Sequence, residues 1–126
     1  ALKRLVASQD RTAGSAAVID TMLEGWTETE QGVARSAFSR AYERAVEQLV
    51  QQVQSQAASL HSAETLWQLH DYLSIQRHTM EGRFDFRLDG ILFVFASLVK
   101  DSLLQMDELV GLDEDKLAKI VAMSRF

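Results

Sequence analysis

The sequence contains no cysteine and no proline. Without cysteine the protein has no disulfide, no thiolate nucleophile and no cysteine-ligated metal, which is compatible with a reducing cytoplasm. Without proline, its many alanine, leucine, glutamine, glutamate and arginine residues favour helix. The chain has 126 residues, of which 47% are hydrophobic and 25% charged. We therefore predict a single all-α domain.

A basic surface and a long hydrophobic run are also missing. The net charge of −5 argues against nucleic acid as a partner, because phosphate binding needs clustered basic residues. The longest apolar run, Ile91–Val99, is far shorter than the ~18 residues that span a bilayer, and the N-terminus has no signal-peptide pattern. We expect neither nucleic-acid binding nor membrane insertion. Five acidic residues are predicted to form a solvated patch: Asp107, Glu108, Asp113, Glu114 and Asp115.

Helical periodicity predicts a helix of about 30 residues from Thr27 towards Leu60. Thr27 and Glu30 fit a capping box, after which apolar residues recur every three or four positions. At a rise of about 1.5 Å per residue this helix is some 45 Å long, more than a small domain can bury. It is therefore predicted to be an antiparallel dimer arm. The alternative is a long helix folded back on its neighbour within a monomer.

A second helix contains the most informative stretch, residues 66–87. Ser62 is predicted to cap it, with the helix beginning at about residue 63 and stopping before Gly82. Four apolar side chains would form a narrow stripe: Leu66, Leu69, Leu73 and Met80. A polar and aromatic band would lie beside the stripe: Trp67, His70, Asp71, Ser74, Arg77, His78 and Glu81.

The chain is divided into an N-terminal extension (1–25), a long-helix tail (26–82) and a compact helical head (83–126). The extension is predicted to contain two short helices. In the head, Asp85 should cap a helix over about residues 86–104, with one of Phe93 and Phe95 buried and the other near the surface. A short helix from Met106 to Val110 follows, and Asp113 should cap the last helix. That helix is predicted to turn three apolar residues inward and two lysines outward: Leu117, Ile120 and Val121, and Lys116 and Lys119.

The residue patterns of most enzyme and metal sites are missing. The sequence has no glycine-rich phosphate loop, no HExxH motif and no glutamate three residues before a histidine. His70 and His78 are two turns and about 80° apart, so one helix cannot place both on one ion. His70 and Asp71 point about 100° apart and are not expected to form a hydrogen-bonded dyad. We expect no catalytic residue, cofactor or metal; a metal shared across a dimer is the remaining alternative.

Two-fold symmetry suggests a role for the charges on the second helix. If two copies cross antiparallel near Ser74, Asp71 of one copy lies opposite Arg77 of the other. Such a pair would fix the register of the dimer, whereas independent solvated charges are the alternative. Trp67 is a core residue by default, although amphipathic aromatics are also frequent interface anchors. The predicted dimer interface is Leu66, Trp67, Leu69, Asp71, Leu73, Ser74 and Arg77.

Three runs of residues resemble the cyanobacterial fluorescence recovery protein family. They are LWQLHDYLSIQRH (residues 66–78), EGRFD with Arg87 (81–87) and ILFVFA (91–96). Trp26 and the run FSRAYER (38–44) also match, so the likeness covers about residues 26–125. Residues 1–25 have no counterpart in the family pattern.

The resemblance implies an all-helical homodimer that binds the photoactivated orange carotenoid protein. Such a protein accelerates reversion of its partner to the resting orange form and promotes release from the phycobilisome, at the cytoplasmic periphery of the thylakoid. By position, the resemblance assigns Trp67, His70, Asp71 and Arg77 to an active patch and dimer contact. It assigns Phe93 and Lys119 to a partner-binding head surface. The alternative is a helical dimeric adaptor with a different protein partner.

Overall fold

The structure is a computed structural model that describes residues 25–126. These residues form four α-helices and two short 3₁₀ helices: α1 (Glu28–Ala58), α2 (Ala63–Arg83), a 3₁₀ helix (Leu88–Gly90), α3 (Ile91–Lys100), a 3₁₀ helix (Met106–Leu109) and α4 (Glu114–Ser124). Within this part of the chain the only β pairing is an isolated bridge between Val110 and Leu112. The all-α prediction is confirmed. None of the helices in residues 25–126 combines the length and hydrophobicity needed to cross a membrane.

The long helix α1 begins at the predicted capping box. The Glu30 backbone N–H donates to Thr27 Oγ1 at 3.1 Å, and Glu30 Oε1 accepts from the Thr27 backbone N–H at 3.0 Å. These bonds satisfy two of the amide donors that a helix N-terminus leaves free. The helix then continues for 31 residues, as predicted.

Helix α2 begins as predicted but ends later. Ser62 caps it, and Thr65 completes a capping box. The predicted stop before Gly82 is wrong, because the helix continues through Gly82 to Arg83. Arg83 donates to the Ser97 carbonyl at 3.1 Å and to Asp101 at 2.6 Å. These contacts hold the last turn of α2 in place. They outweigh the local preference of glycine for ending a helix, so Gly82 does not determine where α2 ends.

The hydrophobic core lies between the first half of α1 and residues 91–120. The fully buried apolar residues of α1 are all small, Ala34, Ala37 and Ala41, which let the larger side chains of the head approach closely, while Val33 and Phe38 pack against the core partly buried. The head supplies the bulk: Ile91, Phe95, Ala96, Leu98, Leu103, Leu104, Leu109, Leu112 and Ile120. Helix α2 contributes no buried residue. The division at residues 25 and 82 stays a prediction.

Helix α3 differs from the prediction at both ends. Asp85 does not cap it, since its carboxylate pairs with Arg87 Nε at 2.9 Å and α3 starts only at Ile91. At the other end the Leu103 N–H bonds the Leu98 carbonyl at 2.9 Å, and Ser102 adopts the left-handed conformation with φ of 62°. This is the Schellman pattern with serine in the position that glycine usually takes. The predicted end near residue 104 is wrong, since α3 ends at Lys100. The sequence does not indicate this end because no glycine follows it.

The last segment of the chain largely follows the prediction. Residues 106–109 form a 3₁₀ helix that ends one residue earlier than predicted. The Asp113 carboxylate accepts the Lys116 backbone N–H at 2.8 Å and so caps α4. Ile120 is fully buried, and Leu117 packs against the core. The predicted short helices before Gly25 lie outside the described residues.

We predict that Ser102→Gly stabilises the protein by about 0.5 kcal/mol. Glycine relieves a left-handed conformation that costs a serine about 1 kcal/mol, part of which is offset by its greater freedom in the unfolded chain. The same substitution at exposed Ser39, inside α1, should instead lower stability by about 0.5 kcal/mol. Urea unfolding of both variants measures the difference. Equal effects of the two substitutions would contradict the prediction.

Candidate functional site

A groove between α1 and α2 is the largest cavity that we describe in residues 25–126. It has a volume of about 800 Å³. Its α1 wall consists of Tyr42, Val46 and Leu49. The α2 wall and the floor are formed by His70, Leu73, Ser74, Arg77, Met80, Glu81 and Phe84. We call it the tail groove. Its α2 wall contains residues of the predicted apolar stripe and polar band, whereas helical periodicity did not indicate that α1 residues would line a cavity.

The apolar stripe of α2 is incompletely covered by its own chain. Leu66 is 47% exposed and Leu73 is 42% exposed, while Leu69 and Met80 are half-buried. Trp67 is 60% exposed, so its default interpretation as a core residue is wrong. Large apolar side chains at this exposure are typical of a surface that binds another protein.

Next to the stripe, His70 and Asp71 contact each other. His70 Nδ1 lies 3.2 Å from Asp71 Oδ1, so the expectation that these neighbours form no hydrogen bond is wrong. Their side chains reach around the helix surface, although their Cα–Cβ bonds diverge. The Trp67 ring lies edge-on to the His70 ring, with 6.1 Å between centroids. Since His70 and Asp71 are both largely exposed, the arrangement fits recognition of a partner better than proton transfer.

Arg77 makes its ion pair within its own helix. Arg77 Nε lies 3.3 Å from Glu81 Oε2, one turn further on, and both side chains are largely exposed. Asp71 and Arg77 lie about 120° apart around α2 and make no bond within the chain. Arg77 and Ser74 line the tail groove, whereas Asp71 lies outside it. Pairing of Asp71 with Arg77 across two chains stays a prediction.

The head presents a second exposed surface. Phe93 is 70% exposed on α3, while Phe95 is fully buried, which confirms that one of the two phenylalanines lies at the surface. Lys119 is exposed on α4, which packs against α3. The head thus exposes an aromatic side chain on one helix and a lysine on the neighbouring helix, and their shared role in binding stays a prediction.

An aromatic cluster joins the tail groove to the head. Phe84 lines the tail groove and packs edge-on against Phe38 and Tyr42 of α1, at centroid distances of 5.6 and 5.2 Å. Phe86 packs against the same Phe38 at 5.1 Å. Arg83, just before this cluster, bonds Ser97 on α3, one turn after Phe93. The two exposed surfaces are therefore connected through packed side chains.

Two ion-pair clusters fix the head on α1, the first around Glu108. Arg44 donates to both carboxylate oxygens of Glu108, at 2.7 and 2.5 Å, and Arg40 donates at 3.2 Å. The hydrogen bond with Arg44 is the main reason that the pKa of Glu108 is lowered to about 2. Glu108 thus joins α1 to the 3₁₀ helix at residues 106–109. Its predicted place in a solvated acidic patch is wrong.

The second cluster surrounds Glu30, the one buried charged residue in the described part of the chain. Besides the Thr27 N–H, Glu30 accepts the Asp113 N–H at 2.9 Å and the Lys116 ammonium at 3.1 Å. The bond from Thr27, followed by those from Asp113 and Lys116, lowers the pKa of Glu30 to about 2 against the opposing effect of burial. The cluster joins the N-terminus of α1 to the N-terminus of α4.

Lys116 is therefore directed inward, and its predicted outward position is wrong. Its ammonium lies between Glu30 and Asp113, and 4.7 Å from the centre of the Trp26 ring. Burial alone would lower the pKa of Lys116, but the bonds to Glu30 and Asp113 outweigh it and raise the pKa. The ring adds a cation–π contact.

No group of three histidine, aspartate or glutamate side chains within residues 25–126 is placed to hold a metal ion. The histidines of α2, His70 and His78, are both exposed. The geometry therefore offers exposed surfaces and a groove that are large enough for protein contacts.

Residues 26–124 match the family described as photoprotection regulator fluorescence recovery protein. The fluorescence recovery protein of Synechocystis sp. is 40% identical over 108 residues, which cover 86% of this chain and 99% of that protein. The solved fluorescence recovery protein of Fremyella diplosiphon has a TM-score of 0.76 at 44% identity, covering 80% of this chain and 99% of that one. The solved Synechocystis protein has the same TM-score and coverage at 42% identity.

The Glu30 cluster leads to a prediction for stability against pH. The folded pKa of about 2 lies below the ordinary value of 4.5, so between these values the unfolded chain binds more protons than the folded one. The stabilisation by Glu30 is therefore complete above pH 4.5 and is lost as the pH falls towards 2. Glu30→Gln should cost roughly 2 kcal/mol at pH 7, and much less near pH 2.

Chemical denaturation of the wild type and Glu30→Gln at several pH values measures this difference. Glu47→Gln, at an exposed position of α1, is the matched control and should change stability little. A cost of Glu30→Gln that does not depend on pH would contradict the assignment.

Proposed function

Because this chain belongs to the fluorescence recovery protein family of photoprotection regulators, we propose that it binds the photoactivated orange carotenoid protein and accelerates its return to the resting form. It would also promote release of that protein from the phycobilisome, and so act in the cytoplasm at the thylakoid surface. The proposal rests on the family match over residues 26–124 together with exposed apolar and aromatic groups on both the tail and the head. The reaction involves no covalent step and needs no cofactor.

The active unit we propose is an antiparallel homodimer. The second half of α1 and all of α2 contain no buried residue in the single chain, although their facing sides carry apolar groups. A second copy of the same two helices would fill both tail grooves at once, because a two-fold axis brings identical surfaces together. The proposed interface consists of Leu66, Trp67, Leu69, Asp71, Leu73, Ser74 and Arg77.

In such a dimer, Arg77 would exchange partners. In the single chain it pairs with Glu81 on the exposed helix surface, an interaction that contributes little to stability. Next to a second chain, the planar guanidinium can bind the Asp71 carboxylate through two parallel hydrogen bonds. The pair would set the register of the two helices, and the apolar stripe would supply most of the contact area.

The partner would be bound by two surfaces. One is the patch of Trp67, His70, Asp71 and Arg77 on α2, and the other is the head surface with Phe93 and Lys119. Acceleration requires that the complex stabilise a conformation between the activated and resting states more than it stabilises the activated state. An elongated dimer with a head at each end could bridge two domains of its partner and stabilise their closed arrangement.

The function is tested by mixing the protein with light-activated orange carotenoid protein and timing the colour reversion in the dark. The wild type should shorten the reversion time in proportion to its concentration until it saturates. Phe93→Ala should weaken the acceleration roughly tenfold at sub-saturating concentration, since removing an aromatic interface anchor costs about 1–2 kcal/mol of binding. Ile75→Ala, which removes a similarly exposed apolar side chain outside both proposed surfaces, is the matched control.

If a large excess of the wild type leaves the reversion time unchanged, the proposal is wrong. A helical adaptor for a different protein partner would then be the better interpretation of the same surfaces. If the wild type accelerates reversion but Phe93→Ala and Ile75→Ala behave alike, the function stands and the assigned head surface is wrong.

The dimer is tested by Leu66→Glu, which should give monomers in light scattering after size exclusion. A carboxylate in the stripe would have to be buried unpaired, at a cost of several kcal/mol. Ile75→Glu is a stringent control, because Ile75 is more exposed, at 63%, and lies about 180° around the same helix. It should remain a dimer. Monomers from Ile75→Glu and dimers from Leu66→Glu would place the interface on the opposite face of α2.

A further inference from the structure

The head carries a second groove on the side where the N-terminal residues join it. One hollow of about 530 Å³ is lined by Gly25, Trp26, Thr27, Glu30, Gly111 and Asp113. A neighbouring hollow of about 680 Å³ is lined by Gly32, Val33, Ser36, Arg40, Gln105, Asp107, Glu108 and Val110. Both lie between the first turns of α1 and the segment before α4. We call the two hollows together the head groove.

The two hollows meet where Val33 touches Gly111. A Cβ atom on Gly111 would lie 2.6 Å from Val33 Cγ2, and Gly111 has a φ of 116° that other residues rarely adopt. Only glycine therefore allows the two walls to come this close. Neither Val33 nor Gly111 is buried, so the contact between the two hollows is accessible to solvent.

The chemistry of the head groove is apolar in the middle and acidic along its edge. Val110, which lines the larger hollow next to Gly111, is 71% exposed. Asp107 is exposed on one side, and Asp113 keeps about half of its carboxylate surface exposed on the other, next to exposed Glu114 and Asp115. Arg40, the basic residue of the lining, is already paired with Glu108. The groove fits a short segment with apolar side chains and positive charge.

The chain itself contains such a segment before Gly25. Residues 2–6 read Leu-Lys-Arg-Leu-Val, with two basic residues between apolar ones. Residues 2–6 lie before the region that the family model matches, residues 26–124, so the family surfaces give them no role. About 18 residues separate this segment from Gly25, which extended could span roughly 60 Å. Since Gly25 itself lines the head groove, the length of the chain does not limit docking.

The junction at Gly25 is held in place. The Lys116 ammonium donates to the Gly25 carbonyl, and the same lysine is fixed by Glu30 and the Trp26 ring. Gly25 has a φ of 84°, a left-handed turn that suits glycine. Residues 1–24 therefore start from a fixed point at the edge of the groove, which reduces the entropy that is lost on docking.

We propose that residues 2–6 dock in the head groove of their own chain, with the basic pair Lys3 and Arg4 next to the acidic edge and Leu5 or Val6 against Val110. The docked segment would cover the exposed apolar surface of Val110 and brace α1 against the loop that precedes α4. The bound segment would be an intrachain partner, and its docking would weaken as salt screens the charges.

The absence of cysteine allows a direct test on the full chain. A nitroxide is attached to Ser8→Cys, and the loss of amide signal intensity is measured by NMR across the isotope-labelled protein. We expect the strongest loss at Val33 and at residues 107–111, with recovery of these signals in high salt. Lys3→Glu combined with Arg4→Glu should abolish the loss at these positions.

Two charge-reversal variants, one inside the head groove and one outside it, test the acidic edge. Asp107→Lys should restore most of the lost intensity, whereas Asp89→Lys, at an exposed head position outside the groove, should leave the pattern unchanged. The proposal is wrong if the loss is weak and spread evenly along the chain, if its maximum lies on α2, or if the two lysine variants behave alike.

A mixed sample tests whether docking is within one chain. Spin-labelled protein without isotope is combined with isotope-labelled protein without a spin label. Signal loss at residues 107–111 in this mixture would show docking on another molecule and overturn the intrachain proposal. No measurement in this series uses the carotenoid protein, so the result is independent of the proposed function.

Discussion

Helix α1 is longer than the core that covers it, and the rest of the structure is arranged around this difference. The helix has 31 residues, but its buried residues, from Glu30 to Ala41, all lie in the first half. The second half is covered on one side by α2, which buries nothing itself. The protein therefore combines a head that completes its core within one chain and a tail whose apolar surface stays partly exposed.

Charge determines how the head sits on α1. The three buried alanines of α1 do little to fix the orientation of the head, since small side chains allow several similar packing arrangements. Glu30 and Glu108 fix the orientation, because each carboxylate accepts bonds from three groups that lie on two separate parts of the chain. A carboxylate that is this fully bonded tolerates burial, and it also specifies one arrangement of the elements that hold it.

The sequence predicted the features that depend on local chemistry. The capping residues Thr27, Ser62 and Asp113 were assigned correctly, because each cap involves residues only three positions apart. The ends of α2 and α3 were missed, since contacts of Arg83 decide the first and Ser102 replaces the usual glycine at the second. Glu108 and Lys116 were placed in solvent because their partners lie 64 and 86 residues away in the sequence, where no local pattern indicates them.

The candidate site was predictable in part for the same reason. The apolar stripe and the polar band of α2 follow from helical geometry, so their residues could be assigned before the structure. The α1 wall of the tail groove could not, since Val46 and Leu49 line a cavity only after α2 has folded back at residues 59–62. Helical spacing shows that these side chains share a face, but it cannot show that the face stays open.

The two tryptophans of the chain occupy opposite kinds of environment. Trp26 packs on the head beneath the Lys116 ammonium, whereas Trp67 is exposed on α2. Replacing either ring with phenylalanine would leave a protein with a single indole emitter. One such protein would report optically on the junction between α1 and α4, and the other on the tail surface. The sequence thus contains two built-in fluorescent probes that can separate events in the head from events in the tail.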